Sequence, residues 1–81
     1  MAKKSPNHSG DKLLVSIGKT IRDLRLEAGL SQEALANEAG VDRSYMGGIE
    51  RGEHNLTVIS LMKICSCLRI SLNALFAKAG F

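Results

Sequence analysis

The sequence contains no tryptophan, a single proline at position 6, and only three aromatic residues, Tyr45, Phe76 and Phe81. A core with so few rings must be built from Leu, Ile, Val, Ala and Met, which favours helices over a β-sandwich. No apolar run approaches the roughly 20 residues that span a bilayer. Met1 to Lys12 has no apolar stretch of the kind a signal peptide needs, so a cytoplasmic chain with no membrane partner is expected. The two cysteines, Cys65 and Cys67, match neither a zinc pair with histidine partners nor a C-x-x-C redox motif. Residues two apart on a helix do not face each other, so both are expected as small packing residues in a reducing compartment, without a disulfide between them. His8 and His54 stand apart from any Cys or carboxylate at ligand spacing, so no metal is expected. Nothing suggests an enzyme. There is no nucleophile–base pairing, acidic cluster or phosphate-cradling glycine loop, and the reading calls for no cofactor or small-molecule ligand.

What is present describes one small domain. Its 81 residues are 44% hydrophobic, too apolar for a wholly disordered chain. A chain of this size buries roughly 60% of its unfolded surface, a thin margin that a partner would improve. The formal charge is +3, of which residues 1–12 supply +2 through Lys3, Lys4 and Lys12 against Asp11, leaving +1 for the rest. That balance permits a polyanionic partner without requiring one.

Residues 1–12 have nothing to bury and are expected to form a flexible tail before a domain over residues 13–81. Its lysines are either simply solvated or add phosphate attraction. From Leu13 the pattern turns helical: Leu14, Ile17, Ile21, Leu24 and Ala28 lie on one face, and Gly29 stops the run. Four later segments share a hydrophobic staple, in which an apolar residue precedes a capping residue and meets another four positions into the helix. These are Leu30–Ser31 with Leu35, Val41–Asp42 with Met46, Leu56–Thr57 with Leu61, and Ile70–Ser71 with Leu75. The spacing predicts an all-α fold of five short helices near 13–28, 32–39, 43–51, 58–68 and 72–78.

The second and third predicted helices are separated by a short turn containing Gly40, the arrangement of a helix-turn-helix unit. With Met46 and Ile49 inward, a rotation of about 100° per residue puts Ser44, Gly47, Gly48 and Arg51 on the outer face, with Arg43 and Tyr45 flanking it. That face is short, polar and free of acidic residues, which suits a helix lying in a major groove. Arg43 stands beside the positive end of the helix dipole, slightly unfavourable for a merely solvated cation, whereas Arg51 suits the negative end. Tyr45 either packs against the second helix or touches DNA. Gly47-Gly48 costs about 1 kcal/mol per glycine relative to Ala inside a helix; no compensating gain follows from the sequence, and close approach of the DNA backbone is one reading, which makes Gly47 a candidate DNA-binding position.

Residues 17–76 resemble the lambda-repressor/Cro-like, or XRE-type, family of helix-turn-helix regulators. The likeness is carried by Ile21-Arg22-x-Leu24-Arg25-x-x-x-Gly29-Leu30-Ser31-Gln32-x-x-Leu35-Ala36, then Gly40-Val41, Ile49-Glu50-Arg51-Gly52, and the helix of Leu61, Ile64 and Leu68. Asp42-Arg43-Ser44-Tyr45, Gly48 to Gly52 and Asn55-Leu56-Thr57 look most like the controller proteins of restriction–modification systems. The resemblance implies a homodimer on double-stranded DNA at a near-palindromic operator, with the third helix in the major groove and RNA polymerase as a further candidate partner. It implies that Gln32 bonds a phosphate and braces the third helix, and that Arg43, Ser44 and Tyr45 reach bases or phosphates. Arg51 and Asn55 would hold the backbone, and an ion pair would join Arg25 to Glu50. The chain departs from the pattern at Gly47, where a DNA-reaching side chain is usual, at His54, where controllers often carry Arg, and at Arg69, where a helix-ending Gly is usual.

Ile70, Leu72, Asn73 and Phe76, with Phe81 nearby, are candidates for a two-fold interface, since the fifth helix has more apolar surface than a four-helix core needs. The competing reading of the chain is a protein-interaction module, antitoxin-like or an anti-repressor partner, with the helix-turn-helix as scaffold only.

Overall fold

The computed structural model describes residues 11–81, which form five helices and, among the described residues, no strand. They are α1 (Lys12–Glu27), α2 (Gln32–Ala39), α3 (Arg43–Glu50), α4 (Val58–Cys67) and α5 (Leu72–Lys78). Each lies within one residue of its predicted bounds at either end. Residues 1–10, with Lys3 and Lys4, lie outside the described part. Lys12, expected in the tail, is the first residue of α1 because the Asp11 carboxylate caps that helix, accepting from the Leu13 N–H at 2.9 Å.

The helix starts follow from local chemistry. Ser31, Thr57 and Ser71 are extended N-caps, and each hydroxyl accepts a backbone N–H three residues on at 3.0 Å. Such caps contribute about 1 kcal/mol apiece. The staple residues Leu30, Val41, Leu56 and Ile70 are half-buried against the core beneath them. Two helix ends show the same turn made from different residues. Gly40 takes φ 70° and α2 closes with Val41 N–H donating to the Ala36 carbonyl at 2.9 Å. Arg69 takes φ 56°, and Ile70 N–H donates to the Cys65 carbonyl at 3.0 Å. The left-handed turn before α5 therefore forms without glycine, at a cost of about 1–2 kcal/mol for the Cβ.

The core gathers Ile17, Ile21, Leu35, Ala36, Met46, Ile49, Leu61, Ile64 and Leu75 from all five helices. Ala28, expected on the buried face of α1, is its exposed C-cap, because the helix ends at Glu27 before that face comes round again. α3 packs against both α1 and α2, while α4 and α5 close the other side. Its approach to α1 is glycine-mediated. A methyl group at Gly18 would collide with the Ile49 carbonyl oxygen and lie 2.8 Å from that of Glu50. One at Gly52 would meet the Val15 Cα at 2.7 Å. The C-terminal end of α3 is thus seated on bare backbone, which fixes its height above the core.

Candidate nucleic-acid interface

A buried charge cluster sets the angle of α3. Arg25 donates from Nε to Glu50 Oε2 at 2.6 Å and from Nη2 to Oε1 at 3.0 Å, and its Nη1 donates to the Leu30 carbonyl at 2.9 Å. The two side chains are only 9% and 2% exposed. Hydrogen bonding to Glu50, which outweighs desolvation, raises the basicity of Arg25 further. The ion pair implied by the family resemblance is present, and it ties α1 to α3. Gln32, at the first position of α2, adds a bond from Nε2 to Glu50 Oε1 at 3.0 Å. Every buried side-chain polar atom among the described residues has a partner. The Gln32 bond thus links the start of α2 to the last residue of α3.

Gln32, Arg43, Ser44, Gly47 and Arg51 line one shallow polar depression of about 250 Å³. Arg43 is exposed and makes no ion pair among the described residues. Ser44 is exposed, but its hydroxyl donates to Asp42, and its N–H reaches the same carboxylate oxygen at 3.1 Å. These bonds, the hydroxyl's first, hold the Asp42 carboxyl below the usual carboxylate range. At the other end Arg51 forms a two-pronged pair with Glu53, Nε to Oε2 at 2.9 Å and Nη2 to Oε1 at 3.1 Å. Mutual hydrogen bonding raises the Arg51 pKa and lowers that of Glu53. The outer face is therefore not free of acid. Asp42 stands at its start as the cap, and the left-handed turn at Gly52 brings Glu53 back to its end. Asn55 is exposed on the loop that follows.

The two glycines of α3 are buried, contrary to the helical rotation that put both on an open face. Gly47 forms the floor of the depression, where a Cβ would sit 3.2 Å from Arg51 Nη1 and 3.6 Å from Gln32 Oε1. Gly48 lies under the His54 imidazole, with which any Cβ would collide. That ring in turn packs against Tyr45, centroids 5.0 Å apart at 33°. Tyr45 is half-buried against the core, which includes Leu35, Ala36 and Ala39 of α2. Sequence reasoning missed Gly48 and His54 as a pair, and Glu53 as the partner of Arg51. No periodic signal connects a loop residue to a helix face.

In the turn after α4 and at the start of α5, Ile70 and Leu72 are half-buried and line an open, mainly apolar depression of about 330 Å³ with Met62, Cys65, Ser66 and Ser71. Asn73 is exposed, and Phe76 is half-buried against the core. Val58, Ile59 and Met62 are 64%, 68% and 56% exposed, and none was singled out from the sequence. The signal was available: α4 is apolar almost throughout, and only Leu61, Ile64 and Cys65 fit its buried stripe. No single helix among the described residues is long and apolar enough to cross a membrane.

Comparison with known proteins agrees with this architecture. A helix-turn-helix family model matches residues 21–75. The chain is 38% identical over 64 residues to the control protein C.MunI of a Mycoplasma species, covering 78% of this chain and 86% of that protein. It is 34% identical over 64 residues to the control protein C.SmaI of Serratia marcescens, covering 79% and 76%. The crystal structure of the restriction–modification controller protein C.AhdI from Aeromonas hydrophila superposes with a TM-score of 0.74 at 45% identity, covering 76% of this chain and 94% of that one. The helix-turn-helix of α2 and α3, its Arg25–Glu50 tie and these similarities lead to one conclusion: the chain belongs to the XRE-type helix-turn-helix family of transcription regulators, alongside the restriction–modification controller proteins.

Proposed function

We propose that this protein is a homodimeric, cytoplasmic regulator that binds double-stranded DNA at a near-palindromic operator and controls a restriction–modification system. The carrying observation is the depression between α2 and α3, where Gln32, Arg43, Ser44 and Arg51 converge over the bare backbone of Gly47. Residues 13–81 act as one binding and dimerisation unit. α3 lies in the major groove, where Arg43, Ser44 and Tyr45 read base edges. Gln32, Arg51 and Asn55 hold phosphates and set the register. The second copy covers the apolar face made by Met62, Ile70 and Leu72, extended by Val58 and Ile59, with Asn73 and Phe76 at its margin. In such a dimer the two α3 helices enter successive major grooves, about 34 Å apart on one side of the duplex. RNA polymerase is a further partner where the operator adjoins a promoter.

Footprinting on the DNA upstream of the protein's own gene tests this reading. Protected half-sites about 10 base pairs apart, centre to centre, are expected. Arg43→Ala should weaken binding there by about 1–3 kcal/mol. No protection at any salt concentration, or protection that is indifferent to Arg43→Ala, overturns it.

A further inference from the structure

Gly48 and His54 are the two features of the helix-turn-helix region that the reading above leaves without a role, and the structure joins them. The imidazole of His54 lies directly over the Gly48 Cα, in the space a Cβ would fill. Its other contact of note is the Tyr45 ring, 5.0 Å away between centroids. A glycine inside an eight-residue helix costs stability relative to Ala, and here the missing side chain creates the seat for a ring brought in from the following loop. Tyr45 is three residues before Gly48, so both lie on neighbouring turns of α3 and the imidazole touches the two together.

We propose that His54 is a positioning residue for DNA recognition: wedged onto bare backbone at Gly48, its ring holds Tyr45 in one orientation beside Arg43 and Ser44. This rests on the DNA-binding reading and goes beyond it, because His54 acts through the shape of its ring rather than by touching a base or phosphate. A wedge of this kind removes rotational freedom from Tyr45 before binding, so less order has to be gained when the complex forms. Gly48 is then required by His54, and the two form a single device.

The chain offers a direct probe, because Tyr45 is its only tyrosine and there is no tryptophan. Time-resolved anisotropy of the tyrosine emission therefore reports one side chain in the full-length free protein. His54→Ala and Gly48→Ala should both release the ring and increase its fast internal motion, while His54→Phe, flat but without nitrogens, should restore the wild-type decay. On a duplex carrying the footprinted site, His54→Ala and Gly48→Ala should each bind roughly 3- to 10-fold more weakly. His54→Phe should stay within about twofold of wild type, and the double variant should bind no worse than Gly48→Ala alone. The slope of log affinity against log salt should not change, since no phosphate contact is lost. The wedge is overturned if His54→Phe binds as poorly as His54→Ala, if the salt slope falls by about one in His54→Ala, or if the Tyr45 decay ignores both alanine variants. A wild-type chain that protects no DNA overturns the DNA-binding reading as well. That outcome is distinguishable, because the anisotropy measurement needs no DNA.

Discussion

Arg25→Met gives the sharpest test of how α3 is held. Arg25 supplies two of the three hydrogen bonds that reach the Glu50 carboxylate, the third coming from Gln32. With the Glu50 side chain only 2% exposed, removing Arg25 leaves a buried carboxylate with one neutral donor, and the Leu30 carbonyl loses its guanidinium partner. Breaking one side of a buried pair costs about 3–5 kcal/mol. A domain of this length is stabilised by about 4–12 kcal/mol in all, so the variant should lose about a quarter or more of its stability. At about 4–8 °C per kcal/mol for a domain of this size, the melting temperature should fall by at least about 12 °C. Arg25→Met combined with Glu50→Leu removes both charges together and should recover to within about 1 kcal/mol of wild type. Urea denaturation followed by far-ultraviolet circular dichroism, at one fixed chain concentration, separates these outcomes. A single variant that loses less than about 1 kcal/mol, or a double variant no better than the single, refutes the account of the pair as a desolvated, mutually dependent cluster.

Three other substitutions probe different parts of the molecule. Arg69→Gly should stabilise the fold by about 0.5–1 kcal/mol, the left-handed penalty less the added freedom of the unfolded glycine; a melting temperature at or below wild type refutes the strain at that turn. The Asp42 carboxyl is held low by bonds from Ser44, so its stabilising effect is fully present above the unfolded value near pH 4 and fades as pH falls through the lower folded value. Asp42→Asn should flatten that acid limb in a pH series of thermal melts, and an unchanged limb refutes the assignment. Glu53→Gln frees Arg51 from its two-pronged partner, so affinity for arbitrary duplex should rise and its salt slope should steepen by up to about one. A weaker complex would show that Glu53 orients Arg51 rather than competing with phosphate.

The helices were legible because their signals are local. Ser31, Asp42, Thr57 and Ser71 each stand one residue before a helix and bond within three residues of themselves, so the capping pattern and the staple located four starts to the residue. Arg25, Gln32 and Glu50 were legible only through family resemblance, since no spacing rule relates positions 25 residues apart. The faces of α3 were read correctly for Met46, Ile49, Ser44 and Arg43, where rotation about the helix axis decides. They were misread at both glycines: Gly47 is the buried floor of the polar depression, and Gly48 is covered by His54 from outside the helix. The acid at the far end of the face escaped notice for the same reason, because Glu53 reaches Arg51 only after the chain reverses at Gly52.

The amino-acid order alone therefore determined five helices, their caps, the turn at Gly40 and the helix-turn-helix class, all of them set by interactions a few residues long. Packing in three dimensions decided the rest: that Gly18 and Gly52 let α3 settle onto α1, that Gly47 opens a polar depression, and that Gly48 is roofed by an imidazole. It also decided that Val58, Ile59 and Met62 face outward. These are questions of which surfaces meet. The free space beside a residue depends on side chains distant in sequence, which local periodicity does not report.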